Sequence, residues 1–254
     1  FMWENKVFSL GISIGLVERS DNTDAPEHMM SMVDAACYIA KEQGRNQIHR
    51  YSSQDVSTKR YENELNWLAH INEALEQDNF RLYYQHYQPL HSVAEGHRYE
   101  ILVRMQTEEQ GLVPPGAFLP AAERYSLGAK IDRWVIHNYF DWLNSNPSHC
   151  TELEKCNINL CGQSLADRDF KLFVLNAFEK FGVPYSKICF EITEGMAIIK
   201  MEETLEFIKT FRQLGCTFAL DDFGSGFSSY GYLKQLPVQY VKIDGAFVRD
   251  LLSD

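Results

Sequence analysis

Basic charge is what this 254-residue sequence has least of: 24 lysines and arginines stand against 35 aspartates and glutamates, a formal net charge of −11. The deficit is uneven, since residues 1–60 carry 7 basic and 8 acidic side chains (7 − 8 = −1) and residues 61–254 carry 17 and 27 (17 − 27 = −10). A nucleic-acid polymer is therefore a disfavoured partner, because such binding draws on a basic surface that releases counterions. A small anionic ligand held through metal ions stays compatible. The six cysteines, at positions 37, 150, 156, 161, 189 and 216, form no CxxC pair and no zinc-ligand spacing. Cys189 and Cys216 adjoin apolar strand residues, where a free thiol behaves as a small hydrophobe, and all six are expected to be reduced, in a cytosolic compartment. No run reaches the roughly 20 apolar residues of a membrane span, and the N-terminus lacks the basic start of a signal peptide. Phe1-Met2-Trp3 begins almost inside a strand, as if cut from a longer protein, so the chain is expected to be cytoplasmic or the cytoplasmic part of a membrane-anchored one.

What is present is an ordinary globular composition, 45% hydrophobic and 23% charged, long enough for one large α/β domain or a medium domain with part of another. Residues 7–17 read as a strand with Phe8, Leu10, Ile12 and Ile14 on one face. A helix follows from Pro26, its stripe formed by Met29, Val33, Ala36, Cys37 and Ala40 and its end marked by Gly44. Gln47 to Tyr51 close this segment as a strand, and the domain boundary is expected near Ser52-Ser53, dividing residues 1–52 from 53–254. Strands are then expected at 80–90 and 99–105. After helices at 117–127 and 130–144 come four short apolar strands at 156–160, 188–193, 218–221 and 240–244, separated by helical sequence. Alternating strands and helices imply a parallel sheet, and the regular units favour a (β/α) barrel, whose chemistry gathers at the C-terminal strand ends.

The stretch that organises the chain is Asp221-Asp222-Phe223-Gly224-Ser225-Gly226-Phe227-Ser228-Ser229, where a buried strand runs out into a loop. Two adjacent carboxylates repel, and burying both ionised costs several kcal/mol unless a cation is shared. The alternative is a solvated acidic turn. The other strand ends supply Asn159, Glu191 and Lys242, and the strand at 99–105 supplies Glu100 on the same face as Arg104. Those two charges could also face water or pair through a bend. Recurring carboxylates and amides are harder to read as structural, because barrel interiors prefer Val, Ile and Leu. The all-oxygen set points to Mg²⁺ or Mn²⁺ rather than Zn²⁺. Lys242 suits either a buried partner for the carboxylates or a group steering an attacking water.

Glu100-Ile101-Leu102-Val103-Arg104, Asn159-Leu160, Glu191-Ile192-Thr193-Glu194, Asp221-Asp222-Phe223-Gly224 and Lys242-Ile243-Asp244 resemble, in order and spacing, the EAL-domain family of cyclic-di-GMP phosphodiesterases over about residues 62–254. The name motif reads Glu-Ile-Leu here rather than Glu-Ala-Leu. The resemblance implies a TIM-like (β/α) barrel in which Glu100, Asn159, Glu191 and Asp221 hold one divalent ion and Asp221 with Asp222 reach a second. It also implies that Lys242 orients the nucleophilic water, that Gln88 and Arg104 hold the dinucleotide, and that Glu194 fixes the loop beginning at Asp222. Hydrolysis of cyclic-di-GMP to pGpG is the implied activity, and a non-hydrolytic cyclic-di-GMP receptor is the rival reading. A homodimer through the barrel is a further expected partner. The family continues past Lys242-Ile243-Asp244 with two more strands, so six strands of eight are expected here and the barrel is expected to be truncated. Ser13-Ile14-Gly15 and Asp34-Ala35-Ala36-Cys37-Tyr38-Ile39-Ala40-Lys41, followed by Gly44-Arg45-Asn46, resemble the C-terminal end of a GGDEF domain. Its signature motif would lie upstream, so no cyclase activity is expected of this chain.

Overall fold

Apolar stripes and short buried strands assemble into two units, Phe1–Ala69 and His70–Asp254. The structure, a computed structural model, describes residues 2–3, 6–7, 11–18, 26–90, 96–224 and 235–249. In the first unit, strands β1 (Met2–Trp3) and β2 (Lys6–Val7) pair antiparallel. Strand β3 (Ile14–Leu16), helix α1 (Pro26–Glu42) and strand β4 (Ile48–Arg50) follow, with β3 and β4 parallel. Helix α1 buries Ala35, Ala36, Ile39 and Ala40, so that of the expected stripe Ala36 and Ala40 are buried while Met29, Val33 and Cys37 are half-buried. It lies directly on β3: a Cβ added to Gly15 would sit 2.4 Å from both the Cys37 nitrogen and the Val33 oxygen.

The single strand expected over residues 7–17 is not formed. Residues 11–13 carry no regular structure, and Phe8 and Leu10 lie outside the described residues. The physical reason is competition for the backbone from a side chain distant in sequence. The Ile12 amide donates to Asn46 Oδ1 at 3.3 Å and the Asn46 amide to Ser13 Oγ at 3.2 Å, which satisfies this segment without a strand ladder.

Helix α2 (Val56–Glu76) contains the division between the units. The second unit continues with β5 (Phe80–His86), β6 (His97–Thr107), β7 (Gly111–Val113), α3 (Pro115–Arg124), α4 (Gly128–Ser145) and α5 (Pro147–Glu152). Then come β8 (Leu153–Asn159), α6 (Gly162–Ala166), α7 (Arg168–Phe181), β9 (Ile188–Thr193), α8 (Glu194–Ile199), α9 (Met201–Leu214), β10 (Thr217–Phe223) and β11 (Tyr240–Ile243). Among the described residues these strands form one seven-stranded sheet in the order β11-β10-β9-β8-β6-β5, with β7 paired to β6. From β6 to β11 all neighbours on that path are parallel. Strand β5, which precedes the strand-helix repeat, runs antiparallel to β6. Residues 87–96 are too short a connection for a parallel crossover, which takes a dozen or more residues.

The expected strand-helix alternation is thus present, and the order fits a TIM-like α/β fold. Among the described residues the path ends at β5 and β11 without joining them. The helices cover the outer face. Phe190 and Phe218 of the sheet meet Phe207 and Phe211 of α9 at ring-centroid distances of 5.7 to 6.1 Å, all four fully or nearly fully buried. All six cysteines are free thiols. Among the described residues no helix is long and apolar enough to cross a membrane.

Candidate metal and active site

Alternation along each strand places one residue in two on the inner face of the curved sheet, opposite the helices. In β9, flanked by strands on both sides, the run Ile-Cys-Phe-Glu-Ile is wholly buried, as a doubly covered parallel strand should be, and Glu191 is its only charge. Register sets Glu191 beside Asn159 of β8 and Ala219 of β10, while Glu100 of β6 stands beside Asn157 of β8 and Gln85 of β5. Two residues past Ala219, Asp221 reaches the same inner face, and two past Tyr240 so does Lys242.

The four meet. Lys242 Nζ donates to Glu191 Oε2 at 2.6 Å, to Glu100 Oε2 at 3.1 Å and to Asp221 Oδ2 at 3.1 Å. Asn159 Nδ2 donates to the other oxygen of Glu100 at 2.6 Å. Glu191 is 1% exposed and Glu100 9%. Burial pushes the Glu191 carboxyl above its ordinary value, opposed by the hydrogen bonds from Lys242 and Asn157. Burial alone would lower the Lys242 ammonium, but Glu191, Glu100 and Asp221 together hold it well above the usual lysine value. Three carboxylates against one ammonium leave two negative charges over, which is the charge deficit a divalent cation fills.

The remaining expected residues stand around this cluster in different ways. Asp222 is exposed, its backbone in the left-handed region at φ 54°, and its amide donates to Asp221 Oδ1 at 3.0 Å. Burial and the neighbouring Asp221 and Asp244 push its carboxyl up. Glu194 is buried and accepts from the Gly224 amide at 3.1 Å, tying the start of α8 to the end of β10. Ser225, Gly226, Phe227, Ser228 and Ser229 lie outside the described residues. Arg104 does not reach Glu100: its guanidinium donates to Val103 O at 2.9 Å and lies 5.7 Å over the Tyr83 ring. Gln88 is exposed beyond the end of β5, three residues from Gln85, the glutamine that register sets opposite Glu100.

Two members of the cluster escaped the sequence reading. Tyr87 OH donates within reach of Glu191 Oε1 at 3.0 Å and Glu100 Oε2 at 3.2 Å, and Asn157 Nδ2 donates to Glu191 Oε1 at 2.5 Å. Burial, and then the charges of Glu191 and Glu100, hold the Tyr87 phenol far above its ordinary value. Asn157 was accessible by alternation, since it shares a face with Asn159.

The donor set fits Mg²⁺ or Mn²⁺ chemistry: hard carboxylate and amide oxygens with no thiolate or imidazole among them. Among the described residues no group of three or more His, Cys, Asp or Glu side chains is already disposed around a vacant ion position, because the carboxylates close on Lys242 instead.

Comparison with known proteins adds ancestry to this geometry. A family profile described as EAL domain matches residues 68–254. Cyclic di-GMP phosphodiesterase PdeB of Shewanella oneidensis is 39% identical over 253 residues, which is 98% of this chain and 29% of that protein. Cyclic di-GMP phosphodiesterase PdeR of Escherichia coli is 33% identical over 245 residues, 96% of this chain and 35% of its own length. The chain therefore spans about a third of these relatives. Among solved structures, the FimX EAL domain from Pseudomonas aeruginosa bound to c-di-GMP superposes with a TM-score of 0.66 at 32% identity, covering 73% of this chain and 74% of that one.

Proposed function

The chain belongs to the EAL domain family, and from that premise we propose that it hydrolyses cyclic-di-GMP to linear pGpG with the help of Mg²⁺ or Mn²⁺. The observation that carries this reading is the convergence of Glu100, Glu191 and Asp221 on one cationic centre. In this reading Glu100, Asn159, Glu191 and Asp221 hold one ion, and Asp221 and Asp222 reach a second. When bound, divalent ions supply the positive charge that activates water and offsets charge on the phosphoryl oxygens. The chain's own groups do the rest. Lys242, held protonated, donates toward the attacking water and orients it. Arg104 and Gln88 hold the dinucleotide, a role that Gln85, on the same edge strand and opposite Glu100, is placed to share. Glu194 keeps the loop after Asp222 in place through the Gly224 amide.

The same proposal assigns residues 1–52 to the C-terminal end of a GGDEF domain and residues 53–254 to the barrel domain, in a cytoplasmic setting and with a homodimer formed through the barrel. The strand-helix-strand arrangement of β3, α1 and β4, with Gly15 against α1, supports the first assignment.

The test is a product assay with cyclic-di-GMP in Mg²⁺ and in Mn²⁺, paired with calorimetry. The expected result is pGpG formation that needs the metal and is lost in Asp221→Asn. Binding without turnover in either metal replaces the enzyme reading with a receptor. Neither binding nor turnover removes both.

A further inference from the structure

We propose that Tyr87 is a positioning residue: with Asn157 it sets the separation and orientation of Glu191 and Glu100 for the divalent ion, an inference that rests on the metal reading above. Glu191 is 1% exposed, so protein groups rather than bulk water must satisfy its oxygens. They divide the work. Lys242 takes Oε2, while Asn157 Nδ2 and Tyr87 OH share Oε1 at 2.5 and 3.0 Å. The Tyr87 hydroxyl also lies 3.2 Å from Glu100 Oε2. One phenolic proton therefore stands between two carboxylates that come from β9 and β6, strands separated by β8.

Pairing through β8 fixes the backbones of Glu100 and Glu191, opposite Asn157 and Asn159, but not the separation of their carboxylate ends, so a side chain that contacts both has to set it. Lys242 contacts both, but from the end of a flexible four-carbon stem. Tyr87 contacts both from a rigid ring on a backbone anchored by its own amide, which donates to Arg98 O at 2.9 Å. Two like charges left without that bridge move apart. A ligand pair that has moved apart binds an ion more weakly, and loss of such outer partners typically costs 10- to 100-fold in metal affinity.

The experiment measures Mn²⁺ binding to the 254-residue chain by electron paramagnetic resonance, for the parent sequence, Tyr87→Phe, Asn157→Ala and a control, Tyr84→Phe, on the opposite face of β5. Melting in chelator reports whether each variant folds. The expected result is a 10- to 100-fold weaker Mn²⁺ affinity in Tyr87→Phe with an altered Mn²⁺ spectrum, parent affinity in Tyr84→Phe, and turnover in Tyr87→Phe restored by raising Mn²⁺. Parent-like affinity and spectrum in Tyr87→Phe overturn the inference and leave the metal reading standing. A Tyr87→Phe affinity loss matched by unfolding of the metal-free variant makes the role structural and also overturns it. Failure of the parent chain to bind Mn²⁺ overturns the metal reading, and the inference falls with it.

Discussion

Asp132 of α4 is a carboxyl enclosed by protein, and its environment makes a pH prediction independent of the metal cluster. Its Oδ2 accepts from the Cys161 amide at 2.7 Å and from Ser164 Oγ at 2.6 Å. Burial nevertheless dominates and pushes the group from 3.8 up to about 6. A raised acid pKa means the folded chain holds a proton that the unfolded chain has released. Its stabilising effect is therefore complete below the unfolded value and lost as pH rises through about 6. Unfolding free energy is expected to fall by roughly 2 kcal/mol between pH 4 and 6.5 relative to Asp132→Asn, which keeps an acceptor but does not titrate. Urea titrations of both proteins across that range measure it, and parallel curves would refute it. At the same scale, Asn157 was legible as a second amide on the face of Asn159, whereas Tyr87, just past the end of β5, meets Glu100 and Glu191 only once the strands are paired. Gln88 entered through the family resemblance alone, whereas the opposition of Gln85 to Glu100 exists only once β5 and β6 are in register.

Among the elements, the strand-helix repeat was legible because buried parallel strands leave short, nearly continuous apolar runs that Gly and polar residues punctuate. Direction was not. Periodicity is the same read either way along a strand, so the reversal of β5 emerged only from pairing. The strand expected over residues 7–17 failed for a different reason, since Asn46, distant in sequence, takes the Ile12 amide. The seating of α1 on β3 can be tested directly. In Gly15→Ala the new methyl would meet the α1 backbone at 2.4 Å, and backbone cannot step aside as a side-chain tip can. Overpacking of this kind typically costs about 1–3 kcal/mol. Hydrogen exchange along α1 should accelerate accordingly, with protection of β9 and β10 unchanged. Unaltered exchange in α1 would show that the contact is slack.

For the molecule as a whole, the net charge of −11 and the acidic cluster make stability depend on cations of the right valence. Mg²⁺ at 100 times its dissociation constant is expected to stabilise the chain by about 2.7 kcal/mol, whereas Na⁺ at equal ionic strength should do far less. Lys242→Met sharpens the test. Without the ammonium, three carboxylates face one another, and the metal-free variant should lose about 3–5 kcal/mol, the usual cost of removing one partner from a buried pair. Much of that loss should return with Mg²⁺. Melting curves in chelator, Na⁺ and Mg²⁺ compare the two proteins, and a Lys242→Met variant indifferent to Mg²⁺ would contradict the expectation. The lysine at the centre also bears on the order of assembly. A tethered ammonium cannot diffuse away, so the strands that bear the acids can come together first, in a compartment poor in free ions, and recruit the ion afterwards. Lys242 is in that sense a scaffold pole, needed while the site is being built and free for other work once the ion arrives.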